Sequence, residues 1–256
     1  MTVVLAVDIG NSNVVIGCFE GEDILFTERL ATNRNATAME YVVFIKTVLE
    51  LNGFGHQEFE GGIISSVVPV VTNSMREAIR KLIGKEPLVI GPGLKTGLKI
   101  RIDNAAQLGS DRVTDAVAAV EQYPCPLIII DMGTATTISV VDREKNFIGG
   151  LIMPGLRISA EALTRRGSQL PQISLESPKK CIGRNTVDGM RSGIILGAAS
   201  TLDGLIDRIQ EELGYPCTVV ATGGNSRIVV PNCNHEIIWD DQLLLKGLMY
   251  LYYKNA

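Results

Sequence analysis

The sequence predicts an α/β protein made of two related halves, each with a central mixed sheet flanked by helices. Strand-like apolar segments alternate with helix-like amphipathic segments along the chain, and one short pattern occurs twice. In each copy a buried-looking strand ends in an aspartate, a glycine turn rich in hydroxyl or amide side chains follows, and a second apolar strand comes next. The copies run from Val3 to Phe19 and from Leu127 to Val141. We expect two half-molecules that each present one Asp–Gly turn to a shared cleft.

The elements of the first half follow from periodicity and turn chemistry. A third strand is predicted around Ile24–Phe26, and a helix over Thr37–Leu51, where apolar residues recur about every 3.6 positions. The strand Gly61–Val68 ends at Pro69, which opens a helix reaching Ile83 at a position that tolerates proline. A short strand is expected at Pro87–Ile90.

The second half repeats this plan after a helical stretch from Ala105 to Tyr123, which prolines 124 and 126 end. Beyond the second strand pair, the sequence predicts a turn at Phe147–Gly150, a helix after Gly155, a long helix over Thr186–Leu213, a strand at Cys217–Ala221 and a final helix over about Asp240–Tyr253. We place the boundary between the halves so that residues 1–115 and 116–256 form the two domains.

The composition excludes several classes of protein. Of the 256 residues, 46% are hydrophobic and 20% are charged, which is typical of a globular chain. The net charge of −4 argues against a nucleic-acid partner, because no basic field attracts a phosphate backbone. No apolar run approaches the roughly 20 residues that span a membrane, and no signal peptide is recognisable. The five cysteines are scattered and odd in number, which fits a reducing cytoplasm better than a disulfide framework or a zinc site.

The two Asp–Gly turns have the residue types that phosphoryl transfer needs. Glycine lets the backbone approach a phosphate closely, and the N–H groups of the turn are donors. Asp8 and Asp131 would be repelled by phosphate, so they would act through a cation. The alternative is that each is simply a turn, since Asp and Gly dominate turns; the repetition between apolar strands makes that alternative weaker.

Two further motifs have both a structural and a functional interpretation. In the GSDR motif, Gly109–Arg112, Asp111 is either a cap or first-turn acid of a helix, or a general base, with Arg112 as a fork for an anionic substrate. Thr222-Gly223-Gly224 after a strand is either an ordinary exit turn or a surface on which a planar base rests against the backbone.

Together these elements resemble the sugar kinase, actin and Hsp70 superfamily, which has duplicated ribonuclease H-like, actin-like ATPase domains. The resemblance is closer still to type III pantothenate kinases and covers essentially the whole chain. It rests on a series of motifs in order: DIGNSN, ISSVVP, GPG, GSDR, DMGTATT, GGLIMPG, IGRNT and ATGG. It implies phosphorylation of the primary hydroxyl of pantothenate by ATP with Mg²⁺, the first step of coenzyme A biosynthesis, in a homodimer with the site near the subunit interface.

The resemblance also assigns residues to roles. Asp111 would be the catalytic base, Asp8 would hold Mg²⁺ through water, and Asp131 would bind a monovalent cation, K⁺ or NH₄⁺. The residues that would bind ATP are Asp8, Ile9, Gly10, Asn11, Ser12, Asn13, Val14, Val15, Thr134, Gly223 and Gly224. Those that would bind pantothenate are Gly109, Ser110, Asp111, Arg112, Thr186 and Ile102.

The chain departs from the family pattern at two places. Ile102 stands where the family commonly has a tyrosine, and Asn225-Ser226 stand where smaller or apolar residues are usual. A second class of function, a non-catalytic accessory protein of this family, therefore stays open, as does another small-molecule kinase or phosphohydrolase of the superfamily. The glycines at 189, 193 and 197 form a stripe on the long helix that suits either packing within the subunit or a dimer interface.

Overall fold

A computed structural model describes residues 3–256, which form two compact units. Unit 1 comprises residues 3–97, Asn104–Ala118 and Gln242–Ala256, and unit 2 comprises Leu98–Asp103 and Ala119–Asp241. Each unit has one mixed sheet with helices, which confirms the predicted α/β class.

Unit 1 is built on a five-stranded sheet in the order β3-β2-β1-β4-β5. Strand β1 pairs antiparallel with β2 and parallel with β4, and β5 continues the parallel side. The strands are β1 Val3–Ile9, β2 Asn13–Glu20, β3 Asp23–Ala31, β4 Phe59–Ser66 and β5 Leu88–Val89. The helices of unit 1 are α1 Ala38–Leu51, α2 Pro69–Ile83, the beginning of α3 Ser110–Gln122, and α7 Leu243–Asn255.

Both faces of this sheet are covered, which explains why β1 is apolar and buried along nearly its whole length. Leu5, Val7 and Ile9 lie in one core cluster with residues of α1 and α2. The terminal helix α7 packs on β1 and β4, with Leu245 beside Gly17 and Tyr252 beside Gly61. The carboxyl end of β1, where Asp8 lies, is therefore set in a rigid layer.

Unit 2 contains a six-stranded sheet in the order β11-β10-β7-β8-β9-β6. Its strands are β6 Lys99–Ile100, β7 Leu127–Met132, β8 Ala135–Val141, β9 Asn146–Pro154, β10 Thr218–Thr222 and β11 Ile238–Trp239. Its helices are α4 Leu156–Arg166, the 28-residue α5 Thr186–Leu213, and the short α6 Ser226–Val229. A core cluster that includes Ile128, Ile130, Ile206 and Val219 holds α5 on the sheet.

The two sheets share one topology. In each, an antiparallel meander of three strands is followed by a fourth and a fifth strand, which are parallel to the first. The five strands from β7 to β11 therefore repeat the arrangement of β1 to β5. Strand β6 is the addition in unit 2, where it pairs with β9. The repeated sequence pattern is therefore a repeat in structure as well.

Three sequence predictions need correction. Residues Phe147–Gly150 are not a turn but part of β9; the turn lies earlier, where the Asp142 carboxylate accepts hydrogen bonds from the N–H groups of Glu144 and Asn146. Glycine pairs suggest turns, but here Gly149 and Gly150 pair with β8. The helical stretch 105–123 is broken into a 3₁₀ turn and α3, which begins at Ser110.

The third correction concerns the end of the chain and the boundary at 115. Helix α7 belongs to unit 1, and Leu98–Asp103 belongs to unit 2, so neither unit is a single continuous segment. The bounds of α5 were predicted correctly, since it runs over Thr186–Leu213 as expected. None of the helices within residues 3–256 is both long and apolar enough to cross a membrane.

Candidate active site

The first Asp–Gly turn, Asp8–Asn13, joins β1 to β2. Asp8 is 9% exposed and lies opposite Val15, while Asn11, Ser12 and Asn13 are exposed. The turn closes through a hydrogen bond from the Gly10 N–H to the Asn13 carbonyl at 2.9 Å. It therefore presents a fixed backbone and three polar side chains at the carboxyl end of the sheet.

The residues that follow β3 hold this turn in place. The Thr32 hydroxyl donates to the Gly10 carbonyl at 2.7 Å, and the Thr32 N–H donates to the Ser12 carbonyl at 3.0 Å. The Arg34 guanidinium donates to the Asn11 side-chain oxygen at 2.9 Å. We did not expect these supporting residues from the sequence, where nothing marks the end of β3.

The GSDR motif is tied to the end of β4, the strand beside β1. In the parallel register Asp8 lies beside Ser65. The Ser110 hydroxyl donates to the Ser66 carbonyl at 3.0 Å, accepts from the Ser66 N–H at 3.0 Å, and lies 3.1 Å from the Ser65 hydroxyl. In unit 1 the GSDR motif and Asp8 therefore lie at the same end of the sheet, where the last residues of β4 connect them.

Asp111 lies in the first turn of α3, as one of the sequence interpretations expected. Its carboxylate accepts the Arg112 N–H at 2.7 Å. Burial raises the pKa of Asp111, and the hydrogen bond and the positive charge of Arg112 oppose that shift. A side chain at Gly109 would collide with this carboxylate, so glycine leaves room for it. A carboxylate with a raised pKa is a stronger base than an exposed aspartate.

The second Asp–Gly turn, Asp131–Ala135, joins β7 to β8. Asp131 is half-buried and lies opposite Thr137 on one side and Thr222 on the other. The Gly133 N–H donates to the Ala135 carbonyl at 3.1 Å, and the Gly155 N–H donates to the Thr134 carbonyl at 3.2 Å. The MPG motif at the end of β9 thus supports this turn and leaves the Thr134 side chain exposed.

The Gly-Gly turn, Thr222–Asn225, follows β10 and lies against the second Asp–Gly turn. Gly223 has φ +86°, which favours glycine, and a side chain there would collide with the Asp131 carboxylate and the Met132 backbone. Its carbonyl accepts the Ser226 hydroxyl at 2.6 Å, while Gly224 is exposed. The backbone of the turn is therefore fixed, with one glycine open to solvent.

Thr186 is the first residue of α5 and is exposed. The Asn185 side chain caps the helix by accepting the Asp188 N–H at 2.9 Å, which explains the Asn-Thr pair of the IGRNT motif. Thr186 lines a mainly apolar cavity of about 1070 Å³ between α4 and α5, which reaches Met132 and Thr136 near the second Asp–Gly turn.

The glycine stripe of α5 faces this cavity. A side-chain carbon added at Gly189, Gly193 or Gly197 would meet no atom of residues 3–256 within 4 Å, apart from the neighbouring backbone of α5 itself. Close helix packing within the chain, one of the two interpretations from the sequence, therefore does not explain these glycines.

Comparison with known proteins identifies the family. The family model described as type III pantothenate kinase matches residues 4–208. The chain belongs to the type III pantothenate kinase family. It is 40% identical over 253 residues to a protein of that name from Halalkalibacterium halodurans, covering 99% of this chain and 100% of the relative. A second type III pantothenate kinase, from Bacillus cytotoxicus, is 41% identical over 253 residues, with 99% and 97% covered.

Solved structures share the fold at lower sequence identity. A conserved putative Baf family transcriptional activator from Campylobacter jejuni has a TM-score of 0.59 and 19% identity, with 98% of each chain covered. A ROK family glucokinase from Streptomyces griseus, solved with glucose and AMPPNP, has a TM-score of 0.52 and 15% identity, with 97% of each chain covered. The chain thus shares the fold of this glucokinase, in agreement with the α/β class that the sequence predicted.

The residues that the type III pantothenate kinase resemblance assigned to the site form two groups, one in each unit. Two further residues lie outside both groups. Unit 1 gathers the first Asp–Gly turn and the GSDR motif, and unit 2 gathers Asp131, Thr134 and the Gly-Gly turn. Ile102 follows β6 in unit 2 and is half-buried, and Thr186 lies apart at the cavity. The ISSVVP motif was visible in the sequence, but only the hydrogen bonds of Ser65 and Ser66 to Ser110 reveal its role.

The carboxylates suit the cations that the family resemblance implies. Mg²⁺ bound to nucleotides takes one or two protein carboxylates and completes its shell with water and phosphate, so the single carboxylate of Asp8 is sufficient. Asp131 offers one negative charge among backbone and hydroxyl oxygens, a donor set that suits a monovalent cation. Residues 3–256 contain no group of three or more His, Cys, Asp or Glu side chains placed to hold a metal by themselves.

Proposed function

We propose that the chain transfers the γ-phosphoryl group of ATP to the primary hydroxyl of pantothenate and forms 4'-phosphopantothenate, the first step of coenzyme A biosynthesis. The observation that carries the proposal is the attachment of the GSDR motif to β4 through Ser110, beside the strand that ends in Asp8. A candidate base and a candidate phosphate turn are thereby set in one rigid unit. Family membership supplies the substrate.

The ATP contacts that the family resemblance implies are proposed for each unit separately. In the first turn, the backbone and polar side chains from Asp8 to Val15 contact phosphates, and in the second, Thr134 does so. The backbone at Gly223 and Gly224, which lacks side chains, would support the adenosine. Asp8 would hold Mg²⁺ through water and Asp131 would hold K⁺ or NH₄⁺; these ions neutralise phosphate charge.

Asp111 is proposed as the base for the acceptor hydroxyl. It takes the hydroxyl proton as the new O–P bond forms and the bond from the γ-phosphorus to the β,γ-bridging oxygen breaks, which releases ADP. The raised pKa of Asp111 improves this proton transfer, while the late loss of the proton in a loose transition state keeps the demand on the base modest. Arg112 would pair with the carboxylate of pantothenate as a bidentate donor.

The cavity beside α5 is proposed to serve both pantothenate binding and self-association. Thr186, which lines the cavity, would contact the substrate, as would Ile102, which lies outside it after β6. The open glycine stripe would admit a helix of a second copy, giving a homodimer. Glycine in a helix interior costs about 1 kcal/mol relative to alanine, so an intermolecular contact is a reason to keep three of them. A cytoplasmic location belongs to the same proposal, because the free cysteines suit a reducing compartment.

The test is ADP release measured by a coupled assay, with the product identified by mass spectrometry. Turnover that needs both pantothenate and either K⁺ or NH₄⁺ is the expected result. Turnover with another acceptor, found in a screen of sugars and small acids, would indicate a different kinase of the superfamily. ATP binding without any turnover would indicate the accessory-protein alternative, for which the isoleucine at position 102 is the sequence feature in favour.

A further inference from the structure

Asn225 makes a side-chain contact between two turns of unit 2. Its N–H donates to the Met132 carbonyl at 3.1 Å, and its side-chain Nδ2 donates to the Gly133 carbonyl at 3.2 Å. A carbonyl oxygen only accepts, so the amide must direct its NH₂ group towards Gly133. Although Asn225 precedes α6, its side chain does not cap that helix. The amide is committed to the second Asp–Gly turn.

Two other contacts between these turns do not depend on the residue type at 225. Thr222 pairs with Asp131 across the parallel strands, and Gly223 lies directly against Asp131 and Met132. The Nδ2 bond of Asn225 adds a contact that does depend on the residue at 225, and it acts on Gly133, the residue before Thr134.

Unit 1 contains an internal comparison. There the segment after β4 makes a similar backbone bond, from the Val67 N–H to the Ile9 carbonyl at 3.0 Å, with the donor one position earlier relative to the paired strands. Valine has no amide to extend towards the first Asp–Gly turn. The side-chain tie therefore belongs to the half of the molecule that has the Gly-Gly turn, where a nucleoside must be placed relative to its phosphates.

We infer that Asn225 is a positioning residue for ATP: it sets the distance between the turn that binds adenosine and the turn that binds phosphate. The inference rests on the proposed function of these turns. A ligand that spans both turns gains from their fixed spacing, because neither turn has to be ordered on binding. A ligand held by one turn gains little. Asn225 thus distinguishes whole ATP from its parts.

The experiment compares Asn225→Ala with a matched control, Asn232→Ala. Asn232 also donates Nδ2 to a backbone carbonyl, that of Ile228 at 2.8 Å, but within its own segment. For Asn225→Ala we expect Kd and KM for ATP to rise about five-fold, the effect of one hydrogen bond, with kcat, KM for pantothenate and Kd for adenosine within two-fold of wild type. Asn232→Ala should keep all these values within two-fold.

Several outcomes would overturn the inference: unchanged ATP affinity in Asn225→Ala, equal weakening of ATP and adenosine, or the same losses in Asn232→Ala. If Asn225→Ala does not fold, Asn225→Leu, of similar volume and without a donor, must show the same loss for ATP. Calorimetric Kd values do not require turnover. A wild-type protein that binds ATP but does not phosphorylate pantothenate would therefore refute the proposed function while the binding comparison still tests Asn225.

Discussion

The two Asp–Gly turns occupy equivalent places in the two sheets but are supported by different neighbours. In unit 1 the turn is held by Thr32 and Arg34, which follow β3. In unit 2 it is held by Gly155, which follows β9, and by Asn225, which follows β10. The two sheets thus have the same arrangement of strands, and they differ in the residues that follow those strands.

The segments after the fourth strand show the same divergence more clearly. At the end of β4, Ser66 exchanges hydrogen bonds with the Ser110 hydroxyl and so anchors the GSDR motif, whereas after β10 the Gly-Gly turn lies against Asp131. One position in the topology therefore serves the proposed acceptor in unit 1 and the proposed nucleotide in unit 2. Variants in each segment should have separable effects.

The largest effect is expected at Asp111, which has no counterpart in unit 2. Asp111→Asn should lower kcat at least about 100-fold, since a positioned base contributes that much or more, while a calorimetric Kd shows retained ATP binding. Turnover within a few-fold of wild type would exclude the base role.

The same variant should not be less stable at neutral pH. Because burial raises the pKa of Asp111 in the folded state, its contribution to stability is present below the unfolded pKa and is lost as pH rises through the folded pKa. At neutral pH the ionised group opposes folding, and asparagine removes that charge. The Tm at pH 7 should equal or exceed that of wild type; a clear decrease would contradict the burial argument.

The long helix α5 is a second difference between the units. Unit 1 has the 14-residue α1 between its third and fourth strands, whereas unit 2 has α4 and the 28-residue α5 at the corresponding place. Gly193→Leu should weaken self-association at least about ten-fold in sedimentation, because a side chain would occupy the contact proposed for a second copy. Gly204→Leu is the control: its site is equally open but does not line the cavity. A wild-type protein that is monomeric at micromolar concentration would contradict the dimer.

A smaller effect is expected where the GSDR motif meets β4. Ser110→Ala removes the hydroxyl that contacts Ser65 and Ser66 and should cost about 1–2 kcal/mol in the free energy of unfolding. It should raise KM for pantothenate several-fold and leave Kd for ATP near the wild-type value. Thr47→Ala, which loses an exposed hydroxyl bond within α1, is the matched control. Equal increases in KM for pantothenate and in Kd for ATP would contradict the separate roles proposed for the segments at the ends of β4 and β10.

The pH profile should show the smallest effect. The carboxylate is the active form of Asp111, so kcat/KM falls as pH decreases through its pKa, and burial places that limb above the range of an exposed aspartate. A profile from pH 4 to 8 on wild type, with stability followed in parallel, checks this. Full activity down to pH 4 would contradict a raised pKa.

Many of the strands and helices could be predicted from the sequence because they depend on local patterns. Continuous apolar runs predicted β1 and β7, the periodicity of α1 predicted its bounds, and the repeated Asp–Gly turns predicted the duplication. The family motifs selected Asp111, which lies in the first turn of α3 with a raised pKa. These features depend on residues that are neighbours in the chain.

What the sequence could not determine depends on contacts between distant residues. Gly149 and Gly150 suggest a turn until pairing with β8 is known, and α7 could not be assigned to unit 1 before its packing on β1 and β4 was visible. The links from Ser110 to Ser66 and from Asn225 to Gly133 join residues far apart in sequence. The sequence alone thus determined two Asp–Gly turns on a duplicated frame. Only the tertiary structure showed which residues support each turn, because hydrogen bonds between segments distant in sequence leave no local pattern.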